Sequence, residues 1–288
     1  MKNCKFKKSL PVITMVGPIG IWMTLFVAVP LIYVFAISFM KKGTYGGVEF
    51  AFTLQNYKDV LSPLYLKIFG YSLLMSAVIT VICILIAYPY AYFISRKSAI
   101  TRVILLMFVM LPFLTNSLIR TYGWIILIRS EGIINNFLIS IHLIKQPFDL
   151  IYTDGAVIMG IVYTLLPFMI LPLYSSIEKL DKSLLEAAND LGARPSKTFF
   201  KVTLPLTMPG IFAGSIMVFV PSLGLFFIAD LLGGSKVMLI GNLIRNQFLT
   251  ARNWPFGAAL SMVLIIITLA LVAGYKKAGG SMDDLGGI

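Results

Sequence analysis

Six long apolar runs, separated by short polar stretches, dominate the chain: Pro11–Phe39, Ile68–Ile94, Val103–Ile128, Asp154–Ile177, Thr207–Leu232 and Pro255–Tyr275. Each reaches the ~20 residues that a helix needs to cross the hydrocarbon of a bilayer. Lipid offers the backbone no hydrogen bonds, so the runs are expected to be helices that satisfy their own peptide groups. The first run is too long for a signal peptide's apolar region of ~7–15 residues and is read as an uncleaved span. A shorter stretch, Ile133–Ile144, cannot span and is read as a helix lying in the outer interface. Prolines interrupt five of the six runs, at Pro30, Pro89, Pro112, Pro167 with Pro172, and Pro221. Such breaks are tolerated where neighbouring helices or a wet cavity take up the freed carbonyls, and simple kinking for packing is the alternative. The tripeptide Leu111-Pro-Phe113 recurs as Leu166-Pro-Phe168, and Gly210 and Gly214 form a GxxxG pair read as close helix packing.

Composition agrees. Of 288 residues 58% are hydrophobic and only 12% charged, too little polar surface for a water-soluble globule of this size. The fold class expected is all-α: one polytopic transmembrane domain over residues 1–288, with six transmembrane helices. The net charge of +12 reads as a positive-inside bias rather than a nucleic-acid surface. The N-terminal tail, the 96–102 and 178–203 loops and the C-terminal tail together hold 14 Lys and Arg; the opposite loops hold 9, and Arg120 lies within a span. Both termini are therefore expected in the cytoplasm. Cys4 and Cys83 are far apart and His142 is the only histidine, which leaves no metal set and no histidine-based catalytic site.

The segment Glu178–Pro205 breaks the pattern. Asp181 is placed to cap a helix, Leu180, Leu184, Ala187, Ala188 and Leu191 recur at helical spacing, and Gly192 stands where a helix would stop. Ser196 is read as the cap of a second short helix ending before Pro205. A solvated connector is one reading; a helix laid into a partner's groove is the other, and the apolar stripe with its small residues favours it. Glu186-Ala187-Ala188, Gly192, and then Leu204-Pro205 resemble the EAA loop of the permeases of binding-protein-dependent ABC importers. The stretches "FTLQNY", "TNSLIRTYGW", "LPLYSSIEKLDKSLLEAANDLGA" and "LLGGSKVMLIGN" are more closely similar to permease subunits of bacterial spermidine/putrescine importers.

That resemblance implies a type I ABC importer fold in the bacterial inner membrane. It makes residues 178–205 the coupling loop, with Leu184, Glu186, Ala187, Ala188, Leu191 and Gly192 facing a cytoplasmic ATPase. It further implies a second related permease, two ATPase subunits and a periplasmic polyamine-binding protein as partners, with no cofactor in this chain. The chain carries no GxxxxGK[ST] phosphate loop, so ATP hydrolysis is expected in the partners. A permease for another small solute and an ion-driven secondary transporter are the alternatives, the latter expecting ionisable groups at mid-membrane. Six acidic against nine basic residues towards the outer side do not announce a cationic substrate.

Candidate path residues follow from position. On straight helices Asp230 stands ~35 Å up span five and Arg120 ~27 Å up span three, both towards the outer side. Asp230, flanked by Phe226 and Phe227, offers a carboxylate and aromatic faces to an amine. Arg120, Asn116, Tyr122 and Pro221 join it as lesser candidates. A structural ion pair between Arg120 and Asp230, or snorkelling of both to the headgroups, is the alternative.

Overall fold

A computed structural model of the protein describes residues 16–277. The first residues of span one, Cys4 and the N-terminal lysines lie outside the described residues. In chain order the elements are α1 (Val16–Ser38), β1 (Met40–Lys42), β2 (Val48–Phe52), α2 (Gln55–Val60), α3 (Pro63–Ser95), α4 (Ala99–Met110) and α5 (Ser117–Ile128). They continue as α6 (Ile133–Ser140), α7 (Asp154–Glu178), α8 (Lys182–Asp190), α9 (Pro195–Leu206), α10 (Met208–Gly224), α11 (Ile240–Leu249) and α12 (Trp254–Lys277). Four of these, α1, α3, α7 and α12, are each long and apolar enough to cross a membrane; counting the bent pairs α4 with α5–α6 and α9 with α10 as one span each makes six.

Contacts divide the chain into two compact units, residues 1–65 with 244–266 and residues 66–243 with 267–288. In the first, the antiparallel β1–β2 hairpin follows α1, and the Phe39 ring stacks against Phe52 at 5.9 Å and lies 5.0 Å from Tyr57. Buried Asn56 donates from Nδ2 to the carbonyls of Ser38 and Met40, both at 2.9 Å, closing the turn from helix to strand. The Gly47 amide donates to the Arg252 carbonyl at 3.0 Å, and Tyr65 packs on Phe256 at 4.9 Å. The hairpin was not foreseen from the sequence.

In the second unit α7 is the axis. Of its most apolar stretch 67% is buried within the chain, against 0% for α1, so lipid or another chain must cover the latter. Ile161, Met169 and Leu173 of α7 are fully buried with Ile79 and Cys83 of α3, Val218 of α10, and Ile228 and Leu232 beyond it. Apolar side chains gain little by leaving lipid for one another, so close contact and hydrogen bonds must hold such helices together. The GxxxG pair supplies the contact. A Cβ on Gly210 would stand 2.5 Å from the Ser176 Cβ and 2.9 Å from the Pro172 carbonyl, and one on Gly214 would meet Met169. At the N-terminal end of α7 Tyr71 donates to Asp154 Oδ1 at 2.6 Å, and at its C-terminal end Arg102 pairs with Glu178.

The structure corrects the straight spans three and five. Span three turns by 92° between Leu114 and Ser117, where Leu111–Leu114 forms a 3-10 turn around Pro112. Span five stops at Gly224, breaks at Leu225, and resumes as the short turns Phe226–Ile228 and Ala229–Gly233. The axial heights expected for Arg120 and Asp230 assumed continuous helices and do not hold. α9 starts from Arg194 with Pro195 in its first turn, not from Ser196, and it passes Pro205 because the π turn Phe199–Thr203 has already interrupted the regular ladder. The helix at 133 ends at Ser140, short of Ile144, and α11 was not expected.

Gly210→Val should cost about 1–3 kcal/mol by overpacking against a backbone carbonyl that cannot retreat. Thermal unfolding of the detergent-solubilised protein should show a lower midpoint. Gly70→Ala, where a Cβ meets nothing within 4 Å, should leave the midpoint unchanged or raise it.

Candidate functional site

Two sets of residues stand out, and the structure does not merge them. The first is the polar loop after α7. Asp181 caps α8 through Oδ1, which accepts from the Ser183 amide at 2.9 Å. That amide, and then the Ser183 hydroxyl, hold the Asp181 carboxyl below the usual carboxylate range. Gly192 closes the helix at φ +71°, its amide bonded to the Asn189 carbonyl at 2.8 Å and the Ala193 amide to the Ala188 carbonyl at 3.0 Å. This is the paired 5→2 and 6→1 closure that demands a left-handed residue, and glycine takes it without strain.

The face so fixed is open. Leu185 and Ala188 are half-buried, whereas Leu184, Glu186 and Ala187 are exposed and Leu191 is 87% exposed. Leu191 thus takes no part in this chain's own core. Leu184 also borders a groove of about 570 Å³ between the foot of α7 and α10, lined by Ser176, Lys179, Leu206, Gly210 and Met217 among others.

The second set surrounds the broken spans. Asn116 caps α5, its Oδ1 accepting from the amides of Leu118 at 2.9 Å and Ile119 at 3.4 Å. Arg120 does not pair with Asp230. Its Nη1 donates to the Pro112 carbonyl at 2.7 Å, its guanidinium lies 5.5 Å from the centre of the Tyr163 ring, and its buried Nε has no partner. Asp230, partly buried, accepts from Asn242 Nδ2, and the same nitrogen donates to the Phe226 carbonyl at 2.9 Å. Phe226 and Phe227 meet edge to face at 6.3 Å. Tyr122 is 54% exposed, on the α5 helix that Asn116 starts. Asn242, 2% exposed, was missed in the sequence; its signal was a lone amide following the apolar "VMLIG". Among the described residues no three His, Cys, Asp or Glu side chains gather as a metal site would require.

Against known proteins, residues 17–275 match the family model described as "Binding-protein-dependent transport system inner membrane component". The chain belongs to this family. Within this permease family it is 47% identical over 276 residues to the "Spermidine/putrescine transport system permease protein PotB" of Haemophilus influenzae, covering 96% of this chain and 95% of that one. The protein of that name from Escherichia coli K12 is 46% identical over 267 residues, covering 93% and 96%. Among solved structures, a bacterial ABC transporter that imports the acidic polysaccharide alginate superposes with TM-score 0.75 at 17% identity, covering 95% of this chain and 96% of that one. The same kind of transporter, solved in complex with an alginate pentasaccharide-bound periplasmic protein, gives 0.77 at 17% identity, covering 93% of each. These superpositions establish the ABC importer permease fold. The chain is thus a multi-pass inner-membrane permease.

Two predictions follow from the loop geometry. Gly192→Val should strain the helix stop by about 1–2 kcal/mol and speed exchange of the 191–193 amides, with the spans unaffected. The Asp181 carboxyl titrates below its unfolded value of about 3.9, so the cap is complete above that pH and is lost as pH falls through the lowered folded value. Asp181→Ala should speed Ser183 amide exchange at pH 7, and the difference should vanish once the pH has fallen through the lowered folded value. A difference that persists in acid would contradict the cap.

Proposed function

We propose that this chain is one permease subunit of an ATP-driven importer of spermidine and putrescine, the whole chain acting as a single transmembrane domain that forms half of the translocation path. The observation that carries the substrate is the identity of nearly one half, across nearly the full length, to permeases named for those polyamines. The partners are a second related permease, two cytoplasmic ATPases that hydrolyse the ATP, and a periplasmic polyamine-binding protein. Both termini lie in the cytoplasm.

Residues 178–205 serve as the coupling loop. The capped and closed α8 presents Leu184, Glu186, Ala187, Ala188 and Leu191 to a cleft of the ATPase, and Gly192 sets the angle at which the chain leaves it. A rigid short helix transmits displacement; a frayed one would absorb it. On the path side, Asp230 supplies a carboxylate, and Phe226 and Phe227 supply aromatic faces, to an ammonium group. Asn116 and Tyr122 are lesser contacts from span three. Arg120 contributes through structure rather than by touching the amine.

The test is uptake in cells lacking their own polyamine importers and expressing this chain with its partner genes. Labelled spermidine should enter, putrescine should compete, and amino acids or phosphate should not. Asp230→Asn should lower uptake about tenfold, the scale of one charged hydrogen bond, with assembly and basal ATPase kept. Entry of an amino acid or anion without spermidine would overturn the substrate. Full uptake by Asp230→Asn would remove that residue from the path.

A further inference from the structure

The two Leu-Pro-Phe tripeptides meet in space. The Phe113 and Phe168 rings lie edge to face at 5.2 Å and 86°. Pro112 and Pro167 line opposite sides of one cavity of about 200 Å³, bordered also by Ile86 and Tyr90 of α3, Arg120 of α5 and Tyr163 of α7. Each proline weakens its own helix at the cavity wall. Pro112 sits in the 3-10 turn where span three bends by 92°. Pro167, inside α7, carries no N–H for the Tyr163 carbonyl one turn earlier. Both walls therefore carry a residue that cannot donate to the helix ladder, and helices bend where rungs are missing.

Arg120 bridges the two walls. It holds span three through the Pro112 carbonyl at 2.7 Å and α7 through the face of Tyr163 at 5.5 Å. Its Nε–H is buried without a partner, on the same cavity that Pro167 and Tyr163 line. A buried donor still unspent beside a proline-broken helix lets one arrangement be exchanged for another, because an interior rearrangement needs a polar group free to take a new partner.

We propose that Arg120 is the positioning residue of a hinge formed by the two facing Leu-Pro-Phe turns. It latches span three to α7 in the present arrangement, and the turns flex about this cavity during the transport cycle. Only the uptake part of the test rests on the polyamine reading.

The assembled transporter is prepared with Cys4→Ser and Cys83→Ala, and with Phe113→Cys and Phe168→Cys as a reporter pair for a short bifunctional thiol reagent. With Arg120 present, cross-linking should be efficient in the resting complex and should change when ATP is trapped. Arg120→Gln should lower the resting yield at least about twofold and abolish the ATP response, while Arg120→Lys, which donates a hydrogen bond but cannot lie flat on a ring, should fall between. Without the reporter cysteines, Arg120→Gln should reduce the maximal spermidine uptake rate about tenfold, the scale of one hydrogen bond from a charged donor, with KM unchanged. If Arg120→Gln does not assemble, Tyr163→Leu keeps the hydrogen bond, removes only the stacking, and should still weaken the ATP response of the cross-link. Cross-linking identical in all variants, or a loss of uptake seen only as a raised KM, would overturn the hinge. Failure of the parent complex to take up spermidine while the cross-link still depends on Arg120 would overturn the substrate and leave the hinge standing.

Discussion

Lipid gives a peptide group no hydrogen-bonding partner, and the broken spans of this protein are organised by that constraint. A carbonyl released within the membrane must be taken up by the protein, at a cost of roughly 1–3 kcal/mol if it is not. At the bend of span three the Pro112 carbonyl is held by Arg120 Nη1 and by the Thr115 hydroxyl, both at 2.7 Å, and Asn116 caps the helix that resumes. At the break of span five Asn242 donates to the Phe226 carbonyl and to Asp230. Polar side chains that look like substrate contacts in a sequence thus include some whose first duty is to repair the backbone.

The loop after α7 faces the opposite condition. It is read as lying in water, where loose ends of a helix cost little, yet α8 is closed at both ends by Asp181 and by the left-handed Gly192. Its exposed stripe then has a fixed shape. On the proposed coupling and hinge readings, stiffness here and compliance at the proline turns are complementary: displacement applied to a rigid handle would be taken up where rungs are missing.

The sequence carried much of this. Hydropathy located all six apolar runs, because lipid selects composition directly, and the ends of α3, α7 and α12 fall within a few residues of those expected. Asp181 and Gly192 were legible because capping is local chemistry. The axial positions of Arg120 and Asp230 were not, since hydropathy reports the medium around a segment and does not say whether a proline kinks a helix or ends it. Pro89, Pro167 and Pro172 remain inside helices, while Pro112 marks a 92° turn. The second short helix of the loop was misplaced because a π turn lets it run past Pro205. The hairpin and α11 were missed because the first is only eight residues in two strands and the second places Asn242, Arg245, Asn246 and Gln247 in a pattern that reads as loop.

The central claim is that the exposed face of α8 is the seat of the ATPase. Its most direct measure is the reactivity of a thiol at position 191 in Leu191→Cys, in a background without Cys4 and Cys83, comparing the permease alone with the assembled transporter. The account predicts rapid modification of the free permease, as the 87% exposure of Leu191 implies, and strong protection once the ATPase subunits are bound. Equal rates in the two states would show that the ATPase sits elsewhere.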